Sequence, residues 1–212
     1  MNIFKKYLAT FFFAATIVIQ PLQSNGYWNE TDKKGTTIII EWEKFDQTTI
    51  PFFNRFKELA PIEAAAFANQ DKTDEALLYS QRIDEYNFMI SKIQKEGPLN
   101  ETNFIVTSKE LDGTILGFTI FHIQSDSRLG YVELEPLCIH PSAQGRGLSR
   151  FLVFSILKIL PEIKEIGLIT DMSNIQAITV YKKLGFFESR REGSPSLCFT
   201  YKVGILKKTA TL

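Results

Sequence analysis

Cysteine is scarce. Cys138 and Cys198 are the only two in 212 residues, too few for a disulfide scaffold or a cysteine-based metal site. Histidine is as rare, with His122 and His140 alone. No CxxC, HExxH or DxDxDG pattern occurs, so a dedicated metal centre has no support. An excess of one charge is missing too: 24 Lys plus Arg balance 24 Asp plus Glu. That removes the basic surplus on which nucleic-acid binding draws. No apolar run reaches the roughly 20 residues a membrane-crossing helix needs. What the chain does have is 44% hydrophobic and 23% charged residues. That is enough for one packed domain and argues against wholesale disorder.

The N-terminus differs from the rest. Lys5 and Lys6 precede an apolar stretch, residues 8–19 (LATFFFAATIVI), which Pro21 breaks before the small residues Ser24 and Gly26. A charged start, a short apolar core and a small-residue exit describe a secretory signal peptide over residues 1–26. The same residues also read as an uncleaved membrane anchor or a buried core helix, so the expectation is an exported or membrane-anchored protein, and a cytoplasmic one otherwise. Residues 27–35 (YWNETDKKG) are polar and read as a linker. Residues 36–206 form the domain and 207–212 a C-terminal tail.

Residues 36–42 (TTIIIEW) are β-branched and predict a strand. Ile50, Phe53 and Phe56 suit a short helix over 50–59, which Pro61 interrupts. The clearest helix spans 73–96. There Tyr79, Ile83, Tyr86, Ile90 and Ile93 make one apolar stripe, Thr73 and Asp74 can cap the start, and Gly97-Pro98 stops it. Strands follow at 103–108, 115–123 and 131–139, joined by short connections that imply an antiparallel meander. A glycine-rich loop leads to a helix over 149–160. A strand at 166–170, a helix at 174–184 and a hairpin from 186–191 and 197–206 complete the chain. The order β-αα-βββ-α-β-α-ββ is an α/β (α+β) fold with a mixed sheet in one domain.

The loop after Ile139 reads PSAQGRGLS over residues 141–149. Glycines let backbone turn tightly and approach a ligand. The amides of Gly145, Arg146, Gly147, Leu148 and Ser149 would point outward at a helix N-terminus, where unpaired N–H groups and the helix dipole favour a pyrophosphate. Arg146 would add a charge-assisted contact. A Walker loop is excluded because Gly-Lys-Ser/Thr is missing. A dinucleotide GxGxxG is excluded because position 150 is arginine. The remaining GxG is by itself a generic turn.

Its surroundings make it specific. His140-Pro141-x-x-Gln144-Gly145-Arg146-Gly147-Leu148-Ser149 resembles the acetyl-CoA loop of the GNAT superfamily of N-acetyltransferases, whose core pattern is Gln/Arg-x-x-Gly-x-Gly/Ala. Gln144 and Gly147 match; Ser149 departs at the last position, but is small and can cap the helix. Downstream, Asn174-x-x-Ala177-x-x-x-Tyr181-x-x-x-Gly185-Phe186 resembles the family's next motif.

The resemblance implies a splay between the strands at 131–139 and 166–170, where a pantetheine arm pairs with the main chain of Leu137, Cys138 and Ile139. It implies direct attack of an amine on the thioester of acetyl-CoA, the co-substrate, with no metal. It makes Tyr181 the general acid for the departing thiolate, or a packing and CoA-binding residue. It makes Asn174 a cofactor contact or a helix cap. Glu133 and Glu135 alternate with Val132 and Leu134, which puts both carboxylates on one sheet face; either is a candidate proton acceptor, or binds a substrate cation, or faces solvent. Cys138 reads as a small core residue, not a nucleophile, and its strand does not adjoin that of Cys198. His140 reads as structural or cofactor-adjacent, and His122 has no assigned role. The acceptor site would lie within residues 50–96, including Phe52, Phe53 and the acidic Asp71, Asp74 and Glu75. The expected activity is N-acetylation of a primary amine on a small molecule or protein, by a monomer or homodimer that does not bind nucleic acid. A membrane contact would come only through the N-terminal segment. The alternative is a non-catalytic acyl-CoA-binding or sensor domain.

Overall fold

The computed structural model describes residues 25–47, 49–99, 101–124, 129–190 and 195–204. Residues 1–24 of the segment expected to be a signal peptide lie outside the described residues, while its last two, Asn25 and Gly26, belong to a strand. The tail at 207–212 and residues 191–194 of the last hairpin also lie outside.

Among the described residues, one mixed sheet of eight strands runs in the spatial order 25–31, 37–45, 101–109, 115–124, 131–139, 165–171, 196–202 and 187–190. Its first strand corrects the reading of residues 27–35 as a linker. β1 (Asn25–Thr31) pairs antiparallel with β2 (Thr37–Phe45) from Asn25↔Glu43 to Thr31↔Thr37. Its residues alternate between exposed and half-buried, so an edge strand with one wet face looks like a linker to a hydrophobicity count. β2, β3 (Glu101–Lys109), β4 (Ile115–Gln124) and β5 (Tyr131–Ile139) continue antiparallel, which is the expected meander.

Two helices cover one face. α1 (Ile50–Asp71) is a single helix and not the short one expected, since Pro61 lies inside it. Proline costs a helix one hydrogen bond and crowds the preceding turn. Here burial of Phe52, Phe53, Phe56, Leu59, Ala60, Ala64 and Ala65 outweighs that penalty, at roughly 1.5–3 kcal/mol for each large apolar side chain. Phe52 and Phe53 are therefore core residues: Phe52 meets Phe56 edge-on at 4.8 Å between ring centres. α2 (Glu75–Glu96) starts at Asp74, whose Oδ1 accepts from the Leu77 amide at 3.0 Å. It ends at Gly97. Asp74 thus serves as the N-cap of α2.

The other face carries α3 (Leu148–Ile159) and α4 (Ile175–Lys183). Sequence neighbours on β3 divide between the two cores. Phe104 joins Val132, Leu152, Ile156 and Phe199 under α3 and α4. Ile105 joins Phe52, Leu59 and Cys138 under α1 and α2. This is the period-two alternation of a sheet buried on both faces. β6 (Glu165–Asp171), β7 (Phe187–Arg190) and β8 (Ser196–Lys202) complete the sheet.

Candidate active site

β5 and β6 pair in parallel only at Tyr131↔Glu165, Val132↔Ile166 and Glu133↔Gly167. Beyond Glu133 the strands part. β6 continues with β8 as far as Asp171↔Ser196, and β5 continues with β4 as far as Ile139↔Gly117. The β6-side edge of Leu137, Cys138 and Ile139 is therefore open, which is the expected splay. A one-residue bulge lies inside this segment, because Thr119 partners Leu137 while Phe121 partners Leu134. Thr119 Oγ1 donates to the Pro136 carbonyl at 2.9 Å, and His122 Nε2 contacts the Glu135 carbonyl at 3.1 Å. His122, given no role from sequence, thus helps to hold the bulge.

The loop after β5 begins with one 3-10 turn at Pro141–Ala143. The Ser142 amide donates to His140 Nδ1 at 3.3 Å, so His140 is a cap. Gly145 and Gly147 then take φ of 77° and 83°, a left-handed conformation that any side chain would strain. Gly147 is the N-cap of α3, and Ser149 lies one residue inside the helix. This corrects the capping role expected of Ser149. Among the described residues, the amides of Gly145, Arg146, Gly147, Leu148 and Ser149 have no acceptor. The result is a run of outward N–H groups at a helix N-terminus. A Cβ on Gly145 would meet nothing within 4 Å, so this stretch of backbone is open to a ligand. Gln144 lies across the mouth: its Oε1 accepts from Gln176 on α4 at 3.3 Å and its Nε2 donates to the Ile139 carbonyl at 3.3 Å.

Arg146 does not face this run. It is 8% exposed; its Nε donates to Asp32 Oδ2 at 2.5 Å and its Nη1 to Glu110 Oε1 at 2.6 Å. The guanidinium is engaged in a clamp joining the β1–β2 turn, the β3–β4 turn and the loop. The expected phosphate contact from Arg146 is corrected accordingly.

Asn174 Oδ1 accepts from the Ala177 amide at 2.9 Å, which makes it the N-cap of α4. About two helix turns on, Tyr181 is 7% exposed and packs on Phe199 at 5.6 Å and Phe186 at 5.7 Å. Burial raises its phenol well above the ordinary range, and Cys138 and Glu135 add to the rise. Cys138 is 1% exposed, and burial pushes its thiol up as well. A buried thiol with a raised pKa is a poor nucleophile, in keeping with a small core residue. Glu133 is half-buried and Glu135 exposed. Val132 and Leu134 point into the α3/α4 core, so both glutamates face α1 and α2.

On that face lies a carboxylate that sequence reasoning missed. Glu63 of α1 is only 5% exposed. It accepts a short hydrogen bond from the Tyr86 hydroxyl and an ionic contact from Arg82 Nε at 3.1 Å. Burial raises its carboxyl above the usual range, against the Tyr86 hydrogen bond and the Arg82 charge; Glu85 and Glu135 push the same way as burial. Glu63 and Tyr181 each interact with both Glu135 and Cys138. Glu63, Glu135, Cys138 and Tyr181 are thus linked electrostatically. Only the alanine-rich helix around Glu63 hinted at its burial.

A family model described as the acetyltransferase (GNAT) family matches residues 62–186. Two mycothiol acetyltransferases are similar over part of the chain. The one from Nocardia farcinica is 34% identical over 85 residues, which is 39% of this chain and 28% of its own length. The one from Tsukamurella paurometabola is 36% identical over 86 residues, 40% of this chain and 29% of its own length. The match with these relatives therefore spans less than a third of their length. Among solved structures, a PaiA N-acetyltransferase from Thermoplasma acidophilum in complex with coenzyme A shares the fold. Its TM-score is 0.53 at 19% identity, over 76% of this chain and 98% of that one.

Proposed function

The chain belongs to the acetyltransferase (GNAT) family, and from that premise we propose that it moves the acetyl group of acetyl-CoA to a primary amine by direct attack. The observation that carries this reading is the run of unpaired amides from Gly145 to Ser149, set beside the open edge of β5. The amides suit a pyrophosphate. The edge at Leu137, Cys138 and Ile139 suits an extended amide-bearing arm, which can add like a strand, and one of its N–H groups can polarise the thioester carbonyl.

Two proton tasks remain for the side chains. Tyr181 keeps its proton at neutral pH and lies at the splay, which supports it as the donor to the departing thiolate. The incoming ammonium must first lose a proton. Glu133 and Glu135 face the acceptor side and are the carboxylates for that task, and Glu63 adds a third whose burial makes it a stronger base. The acceptor is a primary amine of a small molecule or a protein, entering from the side of α1 and α2.

The test uses the full chain with acetyl-CoA and a panel of amines, following free thiol and measuring CoA binding separately. Amine-dependent thiol release is expected. CoA binding without release, whatever the amine, would support a non-catalytic acyl-CoA-binding domain instead. Absence of both would overturn the proposal. Export or membrane anchoring rests on the Lys5-Lys6 and residue 8–19 pattern alone. Fractionation of cells producing the full chain tests it. Cleavage after Gly26 would remove Asn25 and Gly26 from the first strand.

A further inference from the structure

The clamp on Arg146 leaves the phosphate loop with a deficit. Two carboxylates, Asp32 and Glu110, lie against one guanidinium, so the ionic cluster behind the loop carries net negative charge. A pyrophosphate bound by amides alone would sit above it. The same clamp, however, fixes the β1–β2 turn beside the loop. The Lys33 amide donates to the Arg146 carbonyl at 3.0 Å. Asp32 Oδ1 accepts from the amides of Lys34 and Thr36 at 2.8 and 2.9 Å, and the Gly35 amide closes back on the Asp32 carbonyl at 3.1 Å. The turn is thereby held at both of its ends.

This places the Lys33 stem across Gly147. A Cβ built on Gly147 would lie 2.9 Å from Lys33 Cε and 3.0 Å from Lys33 Cγ. The ammonium is one bond beyond Cε, beside the residue that caps α3. Lys33 is exposed, and among the described residues no carboxylate lies within ion-pair distance of it. Resting on the acetyl-CoA reading above, we propose that Lys33, from the N-terminal hairpin, supplies the cation for the pyrophosphate of the acyl donor, a place that the sequence gives to Arg146. Arg146 acts at one remove, as the positioning residue that docks the hairpin. The hairpin is then part of the cofactor site and not only an edge of the sheet.

Calorimetric titration of the full chain and its Lys33→Gln variant with CoA, 3′-dephospho-CoA and pantetheine tests this. Lys33→Gln is expected to raise Kd for CoA about three- to tenfold, as for one partly exposed charge-assisted contact. The same factor is expected for 3′-dephospho-CoA, and none for pantetheine, which lacks phosphate. Lys33→Arg should restore most of the affinity. The salt dependence of CoA binding should be shallower in Lys33→Gln. An unchanged or tighter Kd in Lys33→Gln, with unaltered melting temperature, would overturn the proposal. So would a loss confined to CoA, which would move Lys33 to the 3′-phosphate. If the unmodified chain binds CoA and Lys33→Gln binds equally, only this inference falls. If neither binds CoA, the acetyl-CoA reading falls with it.

Discussion

Arg146 Nε donates to Asp32 Oδ2 at 2.5 Å across 114 residues of sequence. The pair ties the loop before α3 to the turn between β1 and β2, and Glu110 completes it from the β3–β4 turn. Burial of Asp32 disfavours its charge, but hydrogen bonds from Thr36, Arg146 and Lys34 overcome this and hold the carboxyl below its usual 3.8. A lowered folded value means that the clamp stabilises above the unfolded pKa and that this stability is lost as pH falls through the folded one. Protection of the Lys33 amide against hydrogen exchange should hold from pH 7 to 5, after correction for intrinsic rates. It should collapse below pH 3.8, the carboxyl's usual value. Asp32→Asn should lack the acid step and show weaker protection throughout, by about tenfold or more, the loss expected when a buried ion pair is left half-made.

Glu63 gives the opposite sign. Its carboxyl is raised above the usual 4.5 by burial, so the folded chain holds that proton to higher pH than the unfolded chain does. Its contribution to stability is therefore present below pH 4.5 and falls as pH rises through the raised value. Melting temperature followed from pH 4 to 8 should decline more steeply in the unmodified chain than in Glu63→Gln. Equal slopes would show that Arg82 and Tyr86 compensate the charge fully.

Tyr181→Phe removes the hydroxyl but keeps the ring contacts with Phe186 and Phe199. The fold and CoA affinity should be nearly unchanged, with Kd within about twofold, while kcat falls about 10²-fold or more if the phenol donates the proton. A raised KM with unchanged kcat would assign Tyr181 to binding alone.

Gly147→Ala places a methyl group at φ 83° and against the Lys33 stem. The left-handed backbone alone costs about 1–2 kcal/mol. The expected result is a lower melting temperature together with weaker CoA binding. Gly145→Ala carries similar backbone strain but meets no neighbour within 4 Å, so the difference between the two variants measures the Lys33 contact.

Local chemistry sufficed for much of this protein. The alternation of Val132, Glu133, Leu134 and Glu135 marked β5, Asp74 and Gly97 marked the ends of α2, and Asn174 marked the start of α4. The glycines of PSAQGRGLS marked the turn into α3, because left-handed backbone is a local property that only certain residues tolerate. Together they made the GNAT fold legible. Tertiary structure alone decided where Arg146 points, that a polar stretch at 25–31 is an edge strand, and that Glu63 is buried. Each of these depends on contacts between residues far apart in sequence: Asp32 with Arg146, Trp28 with Ile40, Glu63 with Tyr86. An arginine next to two glycines looks free to meet a phosphate. Whether it is free depends on which carboxylates the sheet carries to it, and no spacing along the chain records that.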